Sequence, residues 1–501
     1  MAGGPIDLDR QKRRALSRAG PPAGRVVAAN RRVIGTVVDG EGHEGSGFPS
    51  SHEKDFDIIR TADGEVAQGS IWWVASVGVT AVGGLLYWSL AARFTTRGNV
   101  GLASGLFTIF LVTNYLTSMG LPVAVARFCI GATNSARALF NLAVIYTAVT
   151  SVVGALAVIG AALLLQPERS GEFLALIRER GAGAFMIFAL LVVGQSLAVL
   201  VEVRLVTLRM WRWVFIRVVA VAALRVPLLW VDRLAGDPLG LFVIMAGLPA
   251  LSGVVGVLLL RYTTPAGDRV PIIPLPPGTW GAFRFATINY FGLLAAQGPT
   301  FLIPLFVSTQ LDKDIYGPFY LAWTITTVVF SIPYVIGQVV LAEGSRDEER
   351  VAHRARLRRQ VRTGLGVAVG LMAAAAVGAF LLAEVGTRVL FGEKFPDTAV
   401  VLPRLVGAGV PWAVTAICLA YVRVHERGVA TVVITVSFAL CTIVPSTLLV
   451  SRNGIAGAAD GWLLGNVVAA AIAVVVTLGM TRRERIDLVG LPAPSHDLAA
   501  D

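Results

Sequence analysis

Apolar runs of about 18 or more residues recur along most of the chain, and short polar segments separate them. Because the hydrocarbon core of a bilayer offers the backbone no hydrogen-bond partner, segments that cross it in this way must be helical. The pattern predicts twelve transmembrane helices, at residues 70–92, 102–124, 138–165, 183–203, 212–231, 239–260, 280–307, 317–341, 363–384, 399–422, 429–450 and 456–480.

The polar segments between these spans alternate in their content of Lys and Arg. Those that follow the even-numbered spans are rich in Arg and include the run "RDEERVAHRARLRRQVR" (346–362), whereas those that follow the odd-numbered spans contain fewer basic and many acidic residues. Lys and Arg accumulate in cytoplasmic loops. The pattern therefore predicts a multi-pass protein of the cell (plasma) membrane with both termini in the cytoplasm.

Composition agrees with this plan, since 55% of the 501 residues are hydrophobic and only 15% are charged. The net charge of +11 is spread over many loops, so nucleic acid is not an expected partner. Polar, Gly- and Pro-rich composition marks the ends of the chain as tails. The predicted organisation is a disordered basic cytoplasmic tail (1–68), an N-terminal six-helix bundle (69–261), a cytoplasmic linker (262–279), a C-terminal six-helix bundle (280–480) and a cytoplasmic C-terminal tail (481–501).

The segment that connects the first two spans has a similar counterpart in the second half of the chain. "AARFTTRGNVGLASGLFT" (91–108) recurs as "VSTQLDKDIYGPFYLAWT" (307–324) after span seven, with Gly101 aligned on Gly317, 216 residues later. Because six spans separate the two joins, both halves begin in the same orientation, which predicts parallel repeats related by an axis along the membrane normal. The alternative is a chance similarity between two apolar segments.

Several stretches carry a family resemblance through their order along the spans. The first span ends in Arg93 and Gly101 begins the second; "LTSMGLPVAVARF" (116–128), "SIPYVIGQVVLAEGS" (331–345) and "VLFGEKFPDTAVVLPRL" (389–405) follow. Together they resemble the polysaccharide flippases of the Wzx type, in the multidrug/oligosaccharidyl-lipid/polysaccharide exporter superfamily. The resemblance covers about residues 69 to 480.

This resemblance implies an all-α polytopic membrane protein with about twelve transmembrane helices in two six-helix bundles around a V-shaped cavity. The implied activity is transport and not catalysis: flipping a polyprenyl-diphosphate-linked oligosaccharide from the inner to the outer leaflet for cell-surface polysaccharide biosynthesis. The implied partners are that lipid-linked glycan, membrane lipids and polysaccharide biosynthesis enzymes, with no cofactor. The polar N-terminal extension and the preference for Arg over Lys depart from the family pattern.

Four arginines lie in or near predicted spans, where a charge is costly: Arg93, Arg225, Arg284 and Arg404. Arg225 lies inside span five, and its planar guanidinium suits bidentate hydrogen bonds to a diphosphate. We expect Arg225 and at least one of the other three to face a substrate cavity. The alternatives are that Arg225 extends toward Asp232 and the interface, that Arg93 and Arg404 are interfacial anchors, and that Arg284 only sets the topology.

Span seven, "FRFATINYFGLLAAQGPTFLIPLF" (283–306), is the most polar of the twelve. Asn289 and Gln297 are eight residues apart and share a helix face, and Tyr290 is adjacent. Two prolines in the span should bend it and free backbone carbonyls that need a polar partner. We expect these three side chains to bind substrate; the alternative is hydrogen bonding between helices of one bundle.

Spans one and seven contain no Asp or Glu, and no predicted span contains His. This disfavours two other functions: a cation-coupled multidrug or small-molecule exporter of the same superfamily, which often uses such carboxylates, and a membrane-embedded polysaccharide polymerase, which needs convergent acids or His. Glu202 and Asp460 lie near span ends. We expect Glu202 to pair with a neighbouring Arg such as Arg204, and Asp460 to form a hydrogen bond at the outer end of its helix. The three cysteines are isolated and predict neither a metal site nor a disulfide.

Overall fold

The computed structural model describes residues 51–131, 133–164, 167–231, 235–262, 279–344 and 350–489. The chain forms two compact units, Met1–Gly64 and Glu65–Asp501. Only the start of the first helix is described in the first unit, and the remaining description concerns the second. Most of the predicted basic tail, most of the predicted linker and part of the C-terminal tail lie outside the described residues.

The described elements are all helices. Those of the first half are α1 (Ser51–Phe94), α2 (Arg97–Thr117), α3 (Leu121–Phe128), α4 (Asn134–Leu164), α5 (Pro167–Thr207), α6 (Trp211–Leu228) and α7 (Pro238–Tyr262). Those of the second half are α8 (Thr279–Gln310), α9 (Lys313–Gly344), α10 (Arg350–Phe391), α11 (Pro396–Gly407), α12 (Gly409–Val424) and α13 (Gly428–Val489). The part of the predicted tail from Ser51 onward thus belongs to α1.

Within the described ranges, ten helical segments are long and apolar enough to cross a bilayer. One of them, α13, contains two predicted spans, because its backbone leaves the helical conformation at 453–454. The two arms run antiparallel, since a Cβ on Gly457 would overlap the carbonyl oxygen of Leu449 and one on Gly465 would overlap that of Cys441. The helix α6 occupies predicted span five but is not one of these ten segments, because it carries three arginines. The prediction of an all-α polytopic membrane protein is confirmed.

Span two is not one helix, as the hydrophobic pattern predicts, but two. Met119 and Gly120, between α2 and α3, have left-handed backbone conformations with φ of 48° and 71°. A Cβ on Gly120 would overlap the carbonyl oxygen of Ala286 in α8. The break therefore brings the backbone of span two against the backbone of span seven.

The helices that begin the two repeated segments, α2 and α9, cross near their N-terminal ends. A Cβ on Gly101 would overlap the carbonyl oxygen of Lys313, and a Cβ on Gly317 would lie 3.2 Å from that of Arg97. Arg97 and Lys313 are also 216 residues apart, so each glycine contacts the residue that lies four positions before the other glycine. Such a reciprocal contact is expected where a twofold axis passes between two repeats. Glycine at both positions lets the backbones approach.

Aromatic side chains fill the core beside this crossing and join the two halves. Trp88 of α1 is 1% exposed and packs edge-on against Tyr320 of α9, with ring centroids 5.2 Å apart. The hydroxyl groups of Thr108 and Tyr316 lie 2.8 Å apart, fully within this core. These contacts pack the two halves together beside the crossing.

Candidate functional site

Each half encloses a cavity between its own helices. The N-half cavity, of about 230 Å³, lies between α1, α2, α5, α6 and α7. The C-half cavity, of about 250 Å³, lies between α8, α9, α12 and both arms of α13.

The walls of the two cavities correspond in the repeat. The N-half cavity is lined by Thr80, Phe107, Phe110 and Leu111, and the residues 216 positions later line the C-half cavity: Ala296, Trp323, Thr326 and Thr327. The two cavities are therefore equivalent places in the two halves. Their chemistry differs, because three charged side chains line the first cavity, whereas aromatic and uncharged polar side chains make up most of the wall of the second.

An ion pair lies at one end of the N-half cavity. The Nη2 atom of Arg217 lies 2.5 Å from Oε2 of Glu202, which joins α6 to α5. The Nη1 atom of Arg217 donates to the carbonyl of Ala198 and to the hydroxyl of Ser252, each at 3.3 Å. One carboxylate thus compensates one guanidinium in this cavity.

Arg225 is the second guanidinium of the N-half cavity and has no carboxylate partner among the described residues. It is 6% exposed, and its Nη2 donates to the carbonyl of Met245 at 2.8 Å. That carbonyl is available because Pro249, four residues later, has no N–H to bond it. The Nε atom of Arg225 has no hydrogen-bond partner in the described structure. The described lining of the cavity, with Arg217, Arg225 and Glu202, therefore carries one net positive charge.

The C-half cavity is walled by aromatic rings. Trp323 and Trp462 have ring centroids 5.1 Å apart, and Trp412 and Phe438 have centroids 4.8 Å apart. Among the described residues its only charged lining side chain is Arg423, near the end of α12. Uncharged polar side chains complete the wall: Gln297, Thr300, Thr326, Thr327, Ser331, Tyr334, Gln338, Thr415 and Thr435.

The seven predicted binding residues do not converge on one site. Arg225 lines the N-half cavity and Gln297 lines the C-half cavity. Tyr290 is buried and donates to the carbonyl of Leu116 at 2.7 Å, across the contact between span seven and span two. Asn289 donates to the carbonyl of Phe285 in its own helix at 2.8 Å.

The other three predicted arginines lie apart from both cavities. Arg284 is exposed. Arg93 is also exposed and donates to the carbonyl of Val389, and to that of Leu390 at 3.3 Å. Arg404 pairs with Asp460, with Nε and Oδ1 3.1 Å apart. Their role in substrate binding remains a prediction.

The loops predicted to lie outside the cell join the two halves through polar contacts. The Nη2 atom of Arg97 lies 2.5 Å from Oδ2 of Asp397. Lys394 donates to the carbonyl of Thr95 at 2.9 Å and to that of Arg93 at 3.2 Å. These contacts connect the join after span one to the segment before span ten, so the two halves are held together at this face.

Three features of the cavities are absent from the sequence prediction. Arg217 lies eight residues before Arg225, on the same helix face, but near the start of predicted span five, where an arginine is typical of a cytoplasmic loop. The tryptophans of the C-half cavity come from three spans, and no spacing along the chain relates them. Arg423 lies at the end of predicted span ten, where an arginine is typical of a cytoplasmic loop and does not by itself indicate a cavity.

No protein-family model matches the chain, and no curated protein matches it. Solved structures match it along most of its length. The lipid II flippase MurJ, in an inward closed conformation, matches with a TM-score of 0.58 at 12% identity, covering 85% of this chain and 94% of that one. An inward-facing multidrug resistance MATE family transporter of the MOP superfamily matches with a TM-score of 0.56 at 16% identity, covering 84% and 96%.

A third solved structure is a MOP superfamily transporter from Pyrococcus furiosus, whose binding pocket of reverse polarity suggests a different function for it. It matches with a TM-score of 0.54 at 15% identity, covering 85% of this chain and 96% of that one. The chain therefore has the fold of this transporter superfamily, as the sequence resemblance implied. The Wzx-type assignment within that fold remains an expectation.

Proposed function

We propose that the protein flips a polyprenyl-diphosphate-linked oligosaccharide from the inner to the outer leaflet of the plasma membrane for cell-surface polysaccharide biosynthesis. The observation that carries this proposal is Arg225, a buried guanidinium in the N-half cavity whose bonded partner is a backbone carbonyl. An uncompensated charge inside a membrane is costly, so its presence favours an anionic ligand. A diphosphate supplies the charge and the oxygen pairs that match a guanidinium.

The negative charge of the diphosphate would also supply a driving force for its transport. An inside-negative membrane favours the outward movement of each negative charge by about 2.3 kcal/mol per 100 mV. Two charges that cross the full field therefore gain roughly 4–5 kcal/mol at 100 mV. Flipping by this route needs no coupled cation, which agrees with the lack of Asp and Glu in spans one and seven.

The second candidate is a multidrug or small-molecule exporter, favoured by the aromatic walls of the C-half cavity. Such walls suit flat apolar ligands. Coupling to a cation would require a carboxylate, and Glu202 is the acid that lines the described part of the N-half cavity. Since Glu202 pairs with Arg217, it is less available to a cation than an unpaired acid. We therefore place the flippase first.

The test of the proposed function is the exchange of Arg225 for Ala and for Lys, assayed by the appearance of lipid-linked glycan in the outer leaflet at matched expression. We expect Ala to abolish transport and Lys to restore part of it, because Lys keeps the charge and loses the bidentate geometry. Arg388→Ala serves as a control, since Arg388 is 63% exposed at a helix end. Full transport by both Arg225 variants would make Arg225 a structural anchor and contradict the proposal.

A further inference from the structure

Three arginines cluster near the start of α10. Arg358, Arg359 and Arg362 are exposed, and together with Thr363 they line a depression in the surface. None of the three arginines has a hydrogen bond or an ion pair with another described residue. Arg358 and Arg362 are four residues apart on one helix face, where two like charges destabilise a helix. A bound anion would remove this repulsion.

The cluster differs from other arginines of the face that the charge pattern predicts to be cytoplasmic. The guanidinium of Arg127 lies over the ring of Phe285, 4.5 Å from its centroid, and Arg204 donates to the carbonyl of Cys129. Protein groups thus hold these two guanidiniums. The preference for basic residues on the cytoplasmic side accounts for single arginines. It does not account for three neighbouring ones without a partner among the described residues.

The equivalent place in the first half is uncharged and packed against other helices. The helices α4 and α10 begin 216 residues apart, and the residues of α4 that correspond to the three arginines are Leu142, Ala143 and Tyr146. Ala143 is buried, and the ring of Tyr146 packs edge-on against that of Phe283 in α8, with centroids 5.0 Å apart. The exposed arginines are therefore a feature of the second half and not of the repeated fold.

The position of the cluster along α10 matches the headgroup layer of a bilayer. In the apolar stretch of α10 11% of the residues are buried, the lowest share among the ten segments that could cross a bilayer, so this helix borders lipid. Arg362 lies 26 residues before the exposed Arg388, which is about 39 Å along a helix. A bilayer with its headgroups is about 40–45 Å thick. Exposed apolar side chains lie between the two arginines, among them Val367, Leu371 and Phe380.

We propose that Arg358, Arg359 and Arg362 bind the headgroup of an anionic phospholipid in the cytoplasmic leaflet. The phosphate of the lipid accepts bidentate hydrogen bonds from the guanidiniums, and its acyl chains lie along the exposed apolar face of α10. Clusters of Lys and Arg beside a membrane span attract anionic lipid. The site is independent of the proposed function, since no residue of α10 lines either cavity in the described structure.

Native mass spectrometry of the purified full-length protein in mild detergent tests the site. The probes are phosphatidylglycerol and phosphatidylcholine with the same acyl chains, because both carry a phosphate and only the first has a net negative charge. We expect phosphatidylglycerol to bind at least about twentyfold more tightly, and this preference to fall in high salt because the arginines are exposed. Inorganic phosphate at millimolar concentration should not displace the lipid, since it lacks the acyl chains.

Substitutions of single arginines locate the site. Arg362→Gln should weaken the binding of phosphatidylglycerol about fivefold, and the double variant Arg358→Gln/Arg362→Gln should remove most of the preference. Arg362→Lys keeps the charge and should retain part of the affinity. The matched control is Arg261→Gln, which removes an exposed arginine outside the cluster and should leave the preference unchanged. Thermal unfolding of each variant separates lost binding from lost folding.

Three results would overturn the lipid site: equal binding of the two lipids to the wild-type protein, a full preference in the Arg358→Gln/Arg362→Gln variant, or an equal loss in the Arg261→Gln control. Displacement of the lipid by inorganic phosphate would also contradict the proposal, because the arginines would then bind a free anion. A preference that appears only after the acidic residues at 347–349 are replaced by amides would mean that the chain's own carboxylates occupy the arginines, and the proposal would be wrong.

Discussion

At the scale of single residues, the N-half cavity holds two arginines that obtain their partners in different ways. Arg217 has a carboxylate, Glu202, on the neighbouring helix. Arg225 has the carbonyl of Met245, which Pro249 leaves without its helical partner. The first arrangement is a contribution to stability, whereas the second leaves a charge available to a ligand.

The loss of stability should therefore depend on which partner of the Glu202–Arg217 pair is removed. The Arg217 side chain is 17% exposed and that of Glu202 is 38% exposed. We expect Glu202→Gln to lower the free energy of unfolding by about 2 kcal/mol, since it leaves the largely buried guanidinium of Arg217 without a carboxylate. Arg217→Gln should cost less, about 1 kcal/mol, because water reaches Glu202.

Chemical denaturation in detergent micelles measures both changes, and the double variant completes the cycle. Its loss should be smaller than the sum of the single losses, since the two side chains are in contact. Strictly additive losses would mean that the pair does not form in the folded protein.

At the scale of elements, glycines fix the hairpin formed by the two arms of α13. Gly457, Gly461 and Gly465 lie every fourth residue, on one face of the second arm. A Cβ on Gly461 would overlap the backbone nitrogen of Ser446 in the first arm. The arms thus approach through backbone contacts that leave no space for a side chain.

Gly461→Ala should lower the free energy of unfolding by about 1–3 kcal/mol, because the added methyl forces the arms apart. The matched control is Gly479→Ala in the same arm, where a Cβ meets no atom within 4 Å. That change should be neutral or gain up to about 1 kcal/mol, since Ala favours the helix. Equal stability of the two variants, measured by unfolding in micelles, would contradict the close packing of the hairpin.

The hydrophobic pattern predicts the order of the long helices, since each span is a long local signal. It does not predict that span ten is two helices, α11 and α12. It misses the break at Met119 and Gly120, although "MGLP" contains the residues that permit one. The reason is that the break is stabilised by its contact with Ala286, which is distant in sequence. The pattern also cannot show which polar residues of span seven face a cavity: Gln297 does, whereas Tyr290 bonds across the helices.

At the scale of the whole molecule, the contacts between loops agree with the sides assigned by charge. Arg97 contacts Asp397, and Arg180 contacts Asp237 at 2.5 Å; all four lie in segments predicted to be outside. The charge pattern predicts that this face is extracellular. We expect a cysteine at Gln310 to react with an impermeant thiol reagent in intact cells.

A cysteine at Arg359 should react only after the membrane is made permeable. Gln310 and Arg359 are both exposed, so accessibility to the reagent depends on the side of the membrane and not on burial. The native Cys129 contributes little background, because burial raises the pKa of its thiol to about 11. Labelling in the opposite order would reverse the orientation of the whole protein.

The candidate site was less predictable than the fold, because its parts meet only in three dimensions. Arg225, inside predicted span five, was identifiable because a charge within a membrane span is costly. Trp323, Trp412 and Trp462 were not, since aromatic residues are ordinary in apolar helices and only the packing of three spans brings these together. The equivalence of the two cavities was implicit in the 216-residue repeat, but their different chemistry depends on residues from nine helices.

The crossing of α2 and α9 at Gly101 and Gly317 has the form of an isologous dimer interface contained within one chain. A single ancestral half with this surface would pair with a second copy of itself, and one substitution at its glycine would place two side chains in the contact at once. Gene duplication and fusion remove that constraint, because each copy then mutates alone. The fused halves could keep the shared contact while one cavity gained charge and the other gained aromatic rings, a division of labour that a symmetric homodimer cannot reach.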